Sequence, residues 1–379
     1  MKRYYFDHNA TTPVSPEVLE AIVPVMTEVY GNASSIHHFG QTARGRLDSA
    51  RRQVAAMLGA TAEEIVFTSG GTESDNLAVL GVGGHIVTTT IEHPAVLGAA
   101  ARAESVTHVE VDRRGVVDPV EIRRALRPET RLISVMHANN ELGTVQPLAE
   151  IAEIAREAGI AFHSDGVQAA GRIPVNVKDL GVTLYSVSGH KFGAPKGVGA
   201  LFVKKGTKLN AMLHGGHHER DRRAGTENVP GAVGLGRAAE WFMREGAAEA
   251  ARMEQLRDRL EVAVLERIPD VLVNGAGAAR VPNTSNLRFE GIDSEPLLIA
   301  LDLRGFAVSS GSACSSGASE PSHVLAAIGL TKEQARSSLR VSLGRSNDAA
   351  QVDALVGAMC ECVAHLRRLA PGKPAPAYA

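Results

Sequence analysis

Between about residue 15 and residue 205, short apolar runs alternate with stretches of helical period. The runs are "EIVFT" at 64–68, "HIVTTT" at 85–90, "VTHVEV" at 106–111, "RLISVM" at 131–136, "IAFH" at 160–163, "TLYSV" at 183–187 and "GALFVK" at 199–204. Most are rich in β-branched or aromatic residues, and amphipathic segments such as "LAEIAEIAREAG" separate many of them. That alternation predicts an α/β fold with a mostly parallel seven-stranded sheet covered by helices. The last run follows Lys191 closely and is a candidate antiparallel partner. Ser15-Pro16-Glu17 opens a helix as N-cap, first-turn proline and acid, and Gly31 is placed to end it.

After about residue 245 the pattern changes. A helix over "AAEAARMEQLRDRLEVAVLERI" precedes short strands, the segment "VSSGSACSSGASEP" at 308–321 and a terminal helix. We read residues 15–245 as a large domain, and residues 1–14 with 246–379 as a smaller α+β domain that carries the 308–321 loop. The final "APGKPAPAYA" reads as a loose tail.

In open α/β sheets ligands bind beyond the carboxyl ends of the strands. Five predicted strand ends carry polar clusters: Ser69–Asn76, Glu92–Val96, His137–Glu141, Ser164–Gln168 and Ser188–Lys191. Each alone is ordinary; five along one edge point to an active site.

Composition narrows the picture. Apolar residues make up 44% and charged residues 22%, as in a globular protein. The 40 basic and 42 acidic side chains leave a net charge of −2, which gives no basic footprint for nucleic acid or an anionic membrane. The start "MKRYYFDHNATTP" has no signal-like apolar region, and no run reads as long enough to span a bilayer. Three cysteines in 379 residues make no disulfide framework, so a cytoplasmic setting is expected. Cys360 and Cys362 fall among Val352, Leu355, Met359, Val363 and Leu366 at helical spacing and read as helix packing. Cys314 differs: its neighbours are Ser, Gly and Ala, so it looks presented rather than packed.

In "TSGGTES", Gly70 and Gly71 allow a nest of backbone N–H groups, and Thr72 is a candidate helix cap. A helix start with glycine amides is a phosphate site, although an ordinary capped helix start has the same look. The Walker pattern GxxxxGK[ST] is absent. Lys191, after an apolar strand and among small residues in "SGHKFGAPKG", suits Schiff-base chemistry once desolvated, against the plain alternative of an exposed turn lysine. With Asp165 at a neighbouring strand end, these are the parts that pyridoxal phosphate requires: a lysine, a phosphate nest and a carboxylate for the ring nitrogen. His93 is placed to stack on such a ring or move protons, although a lone histidine is more often structural. The cluster "HGGHHER", with His214, His217 and His218, has metal-like spacing but no clear carboxylate partner, and we assign no metal.

The motifs "GNASSIHHFG", "TSGGTESDNLA", "EHPAVL", "MHANNELGTVQP", "HSDGVQAAG", "SGHKFGAPKGVGAL", "ERDRRAGTENVPG", "SSGSACSSGASEPSHVL" and "RVSLGR" occur in this order. Together they resemble the class I cysteine desulfurases of the NifS/IscS type, which are fold-type I pyridoxal-phosphate enzymes, over nearly the whole chain from Tyr5 to about Arg345. The resemblance implies that Lys191 binds the cofactor covalently, Asp165 pairs with the ring nitrogen, Gln168 contacts the ring hydroxyl and His93 stacks on the ring and transfers protons. It implies that Thr72, Ser188 and His190, with the Gly71 backbone, hold the phosphate. Thr226 would reach the phosphate of the neighbouring subunit in a homodimer. Asn140 and Arg340 would hold the substrate, with Arg340 on its carboxylate.

By the same resemblance the thiolate of Cys314 takes the sulfur of L-cysteine as a persulfide, alanine leaves, and the sulfur passes to an acceptor or iron–sulfur scaffold protein for cluster assembly or thio-modification. A selenocysteine lyase or a related aminotransferase is the alternative; Cys314 argues against a plain aminotransferase, which needs no mobile thiol. Several positions depart from the family pattern: His8 for asparagine, Ser164 for threonine, Gly166 for alanine, His218 for glutamine and Asp221 for glycine. None of these removes a proposed catalytic residue.

Overall fold

The computed structural model describes residues 2–310 and 322–369. Cys314, most of the 308–321 loop and the tail at 370–379 therefore lie outside the described residues.

The chain opens with a two-residue strand, β1 (Tyr4–Tyr5), followed by α1 (Pro16–Thr27) and α2 (His38–Leu58). The alternating region then runs β2 (Ile65–Thr68), α3 (Gly71–Val82), β3 (His85–Thr89), α4 (Pro94–Ala100), β4 (Ser105–Val109) and α5 (Pro119–Arg124). It continues with β5 (Thr130–Ser134), α6 (Leu148–Ala158), β6 (Ala161–Asp165), β7 (Leu184–Ser188) and β8 (Gly199–Val203). After α7 (Val229–Arg267) come β9 (Val271–Val273), β10 (Thr284–Phe289), α8 (Ser294–Asp302) and β11 (Phe306–Ala307). The described chain closes with α9 (His323–Ala327), α10 (Lys332–Arg336), β12 (Ser338–Ser342) and α11 (Ala349–Leu369).

Seven strands form one sheet in the order β2-β8-β7-β6-β5-β3-β4. All seven predicted runs are in it. Only β8 runs antiparallel, to both β2 and β7. Every residue of β2, β3, β7 and β8 is buried, as expected of strands covered on both faces. Helix α6 shows how the cover forms: Leu148, Ile151, Ala152, Ile154 and Ala155 make one buried stripe, and Gly159 ends the helix in the left-handed region at φ 66°. Each large side chain so buried contributes about 1.5–3 kcal/mol by leaving water.

A second core gathers Phe6, Leu260, Leu287, Phe289, Leu339, Val341, Leu355 and Met359 around a three-stranded antiparallel sheet, β12-β10-β9. Strand β1 pairs in parallel with β11, so the N-terminus is tied to the late part of the chain. Cys362 is buried in this core and Cys360 packs at its edge.

Three sequence expectations need correction. The helix expected from residue 246 begins at Val229 and runs for 39 residues, capped by Asn228, whose side chain accepts from the Gly231 N–H at 3.0 Å. Its first half is rich in glycine and alanine because it lies against α1 and α2, and that composition hid it. Helix α1 starts at the expected Ser15-Pro16 but ends at Thr27, short of Gly31. Finally, α11, at 21 residues and with a window of mean hydropathy 1.2, is long and apolar enough to cross a membrane by those two measures. Its apolar face (Val352, Leu355, Val356, Met359 and Val363) is spent on the second core.

Candidate active site

Strands β2, β3, β5, β6 and β7 run in one direction, so their five polar C-terminal clusters share one edge of the sheet. Asp165 is the last residue of β6 and is 5% exposed. Its Oδ1 accepts from the Val167 N–H at 2.9 Å, and its carbonyl accepts from the His137 N–H at 2.8 Å. Burial pushes this carboxyl up, while His93 and Lys191 pull it down, so all three groups share one electrostatic neighbourhood.

His93 is the N-cap of α4, and its Nδ1 accepts from the Ala95 N–H at 3.1 Å. That bond puts the neutral ring's proton on Nε2. Burial holds the imidazole below its ordinary range, Asp165 working against the shift and Lys191 with it. Lys191 ends the short turn after β7, and its Nζ donates to the carbonyls of Asn9 at 2.6 Å and Ala10 at 2.9 Å.

The β2–α3 turn is shaped for a phosphate. Gly70 adopts φ 154° as N-cap, and a Cβ on Gly71 would stand 2.7 Å from Val167 Cγ2 and 3.5 Å from Ser188 Cβ. The first-turn amides of a 12-residue helix therefore open beside the buried Ser188. The expected Thr72 cap is corrected: Gly70 is the N-cap, no side chain caps the helix, and exposed Thr72 sits inside the first turn. That leaves its hydroxyl uncommitted to a cap. His190 holds Thr11 Oγ1 at 3.1 Å and is pushed down to about 4 by burial and by the Lys191 charge. These residues fit a phosphate-bearing pyridine ring: a cradle that a Cβ would fill, a buried carboxylate, a lysine and an imidazole around one strand edge.

Asn140 and Arg340 meet. Arg340, 2% exposed, donates from Nη1 to the Asn140 carbonyl at 3.1 Å and from Nη2 to Asp7 Oδ1 at 2.6 Å. Gln168 donates from Nε2 to the Asn9 carbonyl at 3.0 Å, and its Oε1 takes a hydrogen bond from Arg172. Thr226 is exposed, and its neighbours Gly225 and Glu227 line a small cavity with Ser69 at the β2–α3 turn. Among the described residues no group of three or more His, Cys, Asp or Glu side chains is arranged for a metal, and His217 instead pairs with Asp221 at 2.5 Å.

The sequence reading missed the N-terminal segment 7–12 as a hub. Asn9 accepts from Lys191 and Gln168 on its carbonyl, donates from Nδ2 to the Asn140 carbonyl (3.0 Å) and Thr284 Oγ1 (2.9 Å), and takes Asn283 on Oδ1 at 3.1 Å. It also missed Ser322 and His323, which bind Glu141 Oε2 at 2.7 Å and the Glu92 carbonyl at 2.9 Å. The sequence signal was weak: "FDHNATTP" is polar without period, and long-range contacts bring it to the site, among them the β1–β11 pairing, the Asp7–Ser342 bridge and the Thr12 N–H on the His190 carbonyl.

Residues 4–355 match the family model Aminotransferase class-V. A cysteine desulfurase IscS of Dictyoglomus turgidum is 47% identical, the match covering 98% of each chain. A cysteine desulfurase IscS of Methanosarcina thermophila is 49% identical over 98% of this chain and 95% of its own. Among solved structures, a NifS-like protein superposes with a TM-score of 0.89 at 36% identity, covering 96% of this chain and all of its own.

Proposed function

The chain belongs to the class-V aminotransferase family and, within it, to the cysteine desulfurases, and we propose that Lys191, His93 and Cys314 carry the three chemical roles of that reaction. The enzyme depends on pyridoxal 5′-phosphate, which when bound would supply an electron sink at the substrate α-carbon, next to the carbon that bears the departing sulfur. Lys191 would hold the cofactor covalently, Asp165 would pair with its ring nitrogen, Gln168 would contact its ring hydroxyl, and the Gly71 turn with Thr72, Ser188 and His190 would hold its phosphate.

Arg340 and Asn140 orient the substrate carboxylate. The guanidinium is already pinned by Asp7, so it meets the carboxylate without searching for a rotamer. His93, with its proton on Nε2, moves protons at the substrate. The Cys314 thiolate attacks the substrate sulfur: the S–S bond forms as the C–S bond breaks. The carbon keeps the bonding electrons, takes a proton and leaves as alanine. A free thiol has its pKa at about 8.5, so Cys314 must lose its proton before attack.

The persulfide sulfur then passes to an acceptor protein for iron–sulfur cluster assembly or thio-modification. We assign the working unit as a cytoplasmic homodimer in which Thr226 serves the partner's phosphate; its exposure on a single chain supports that reading. The two cores support a large unit over 15–245 and a smaller one over 1–14 and 246–379, joined through α7.

The observation that carries the proposal is the convergence of His93, Asp165 and Lys191 at one strand edge, beside the α3 N-terminus. Incubation with L-cysteine should give alanine and one reducible sulfur per turnover. L-alanine plus keto-acid exchange without sulfur release would mark the aminotransferase alternative, and release from L-selenocysteine alone the lyase.

A further inference from the structure

Directly behind Asp165 lies a closed circuit of contacts that the roles above leave unused. The Asp165 carbonyl accepts from the His137 N–H at 2.8 Å, and His137 Nδ1 shares a hydrogen bond with the Tyr185 hydroxyl at 2.8 Å. The Tyr185 ring then returns to the backbone beside Asp165. A Cβ built on Gly166 would stand 2.0 Å from Tyr185 Cζ and 2.4 Å from its hydroxyl oxygen, so the ring occupies the space that any side chain at 166 would need.

Neither partner has slack. Tyr185 is fully buried, His137 is 5% exposed, and their rings meet edge to face at 5.9 Å. The Gly166 N–H donates to the Ser186 carbonyl at 3.0 Å, and its carbonyl accepts from Ala169 and Ala170, so the turn that begins at Asp165 is fixed on both sides. Among the described residues the one backbone bond to the Asp165 carboxylate comes from the Val167 N–H. The direction it points is therefore set by the Asp165–Gly166–Val167 turn, and the turn rests on Tyr185.

We infer that Tyr185 and His137 are positioning residues for Asp165: the ring packed on Gly166 and anchored by the imidazole sets where the carboxylate meets the cofactor's ring nitrogen. The inference rests on the assignment of Asp165 to that nitrogen. It predicts that the hydroxyl and the missing Cβ act on the cofactor, beyond their effect on folding.

The test uses the full chain, resolved of cofactor and titrated with pyridoxal 5′-phosphate, with the pH midpoint of the bound cofactor's visible band as a second readout. Tyr185→Phe keeps the ring and removes the hydroxyl. It should weaken cofactor affinity about three- to tenfold, as expected for a lost buried hydrogen bond, and move the band's midpoint. Gly166→Ala should weaken affinity by more than about tenfold in the native background, but by less than about twofold beside Tyr185→Leu, where the ring is gone.

A Tyr185→Phe variant with a lower melting temperature but unchanged affinity and midpoint makes the pair merely structural and overturns the inference. So does an alanine penalty at 166 that is the same with and without the ring. Asp165→Asn separates the two levels. Unchanged affinity and midpoint there refute the parent assignment, whereas a large effect of Asp165→Asn beside none of Tyr185→Phe refutes this inference alone.

Discussion

Replacing Glu219 by alanine removes the acid that fastens the 213–228 segment to the edge of the large sheet. Glu219 takes Arg51 through both carboxylate oxygens at 2.5 and 2.7 Å and the Phe67 N–H at 3.0 Å; the two side chains are 4% and 7% exposed. Arg51 also donates to the Ile65 carbonyl at 2.8 Å and lies over the Phe67 ring at 4.7 Å. The pair holds three consecutive residues, Glu219, Arg220 and Asp221, at φ 46°, 59° and 63°. For side-chain-bearing residues that backbone costs about 1–2 kcal/mol each. Removing the carboxylate leaves a buried guanidinium with one carbonyl, a loss of about 3–5 kcal/mol. For 379 residues the unfolding entropy is about 0.8 kcal/mol per degree, so the melting temperature should fall by about 4–6 °C.

The assay is calorimetry at saturating cofactor, paired with limited proteolysis, in which new cuts should appear between residues 213 and 228. The double variant Arg51→Met/Glu219→Leu should regain much of the loss, because it buries no orphan charge. A shift below about 1 °C in Glu219→Ala, or a double variant no better than the single, would refute the reasoning.

Three further outcomes follow from the site. Lys191→Ala should lose the visible band of the lysine-bound cofactor and form no alanine from L-cysteine; a retained band would move the covalent role elsewhere. Arg340→Lys loses the planar fork between Asp7 and Asn140 and should raise KM for L-cysteine about 10- to 100-fold with a smaller change in kcat; an unchanged KM would remove Arg340 from substrate binding. Glu92, buried at the β3–α4 junction with Oε1 on Thr89 Oγ1 (2.6 Å) and the Met136 N–H (3.0 Å), is pushed up to about 8 by burial. Its folded value lies above the ordinary 4.5, so the native state binds the extra proton, and that stability is full below 4.5 and lost as pH rises through 8. Measured against Glu92→Gln, wild-type stability should therefore fall with a slope of about 1.4 kcal/mol per pH unit within that window and level off above it; parallel curves would show that Glu92 titrates normally.

Much of the sheet was legible because strands such as β2 and β8 are buried along their whole length and read as apolar runs, "EIVFT" and "GALFVK". The strand-end clusters were legible for a related reason: charged and hydroxyl residues after such runs have no core to join, and Asp165 and Ser188 stand where the runs end. What lay hidden is what only long-range contact reveals. Asn9 has no periodic neighbours and is held near Lys191 by contacts distant in sequence: β1 on β11, the Asp7–Ser342 bridge and its own N–H on Ser342 Oγ. Glu219 sits in a run of charges that reads as surface, yet its carboxylate is among the least exposed. Gly166 read only as a departure from a family pattern until the Tyr185 ring was found in the space of its absent Cβ. The first half of α7 was masked by glycines whose small size serves packing against α1 and α2.

The central claim is that Cys314 collects the substrate sulfur, and the mass of the intact protein after brief exposure to L-cysteine tests it most directly. Wild-type protein should gain one sulfur atom, mapped to the Cys314 peptide, removed by thiol reductant and absent in Cys314→Ala and Lys191→Ala. Alanine formed at the wild-type rate by Cys314→Ala, or added sulfur found on Cys360 or Cys362 instead, would contradict it.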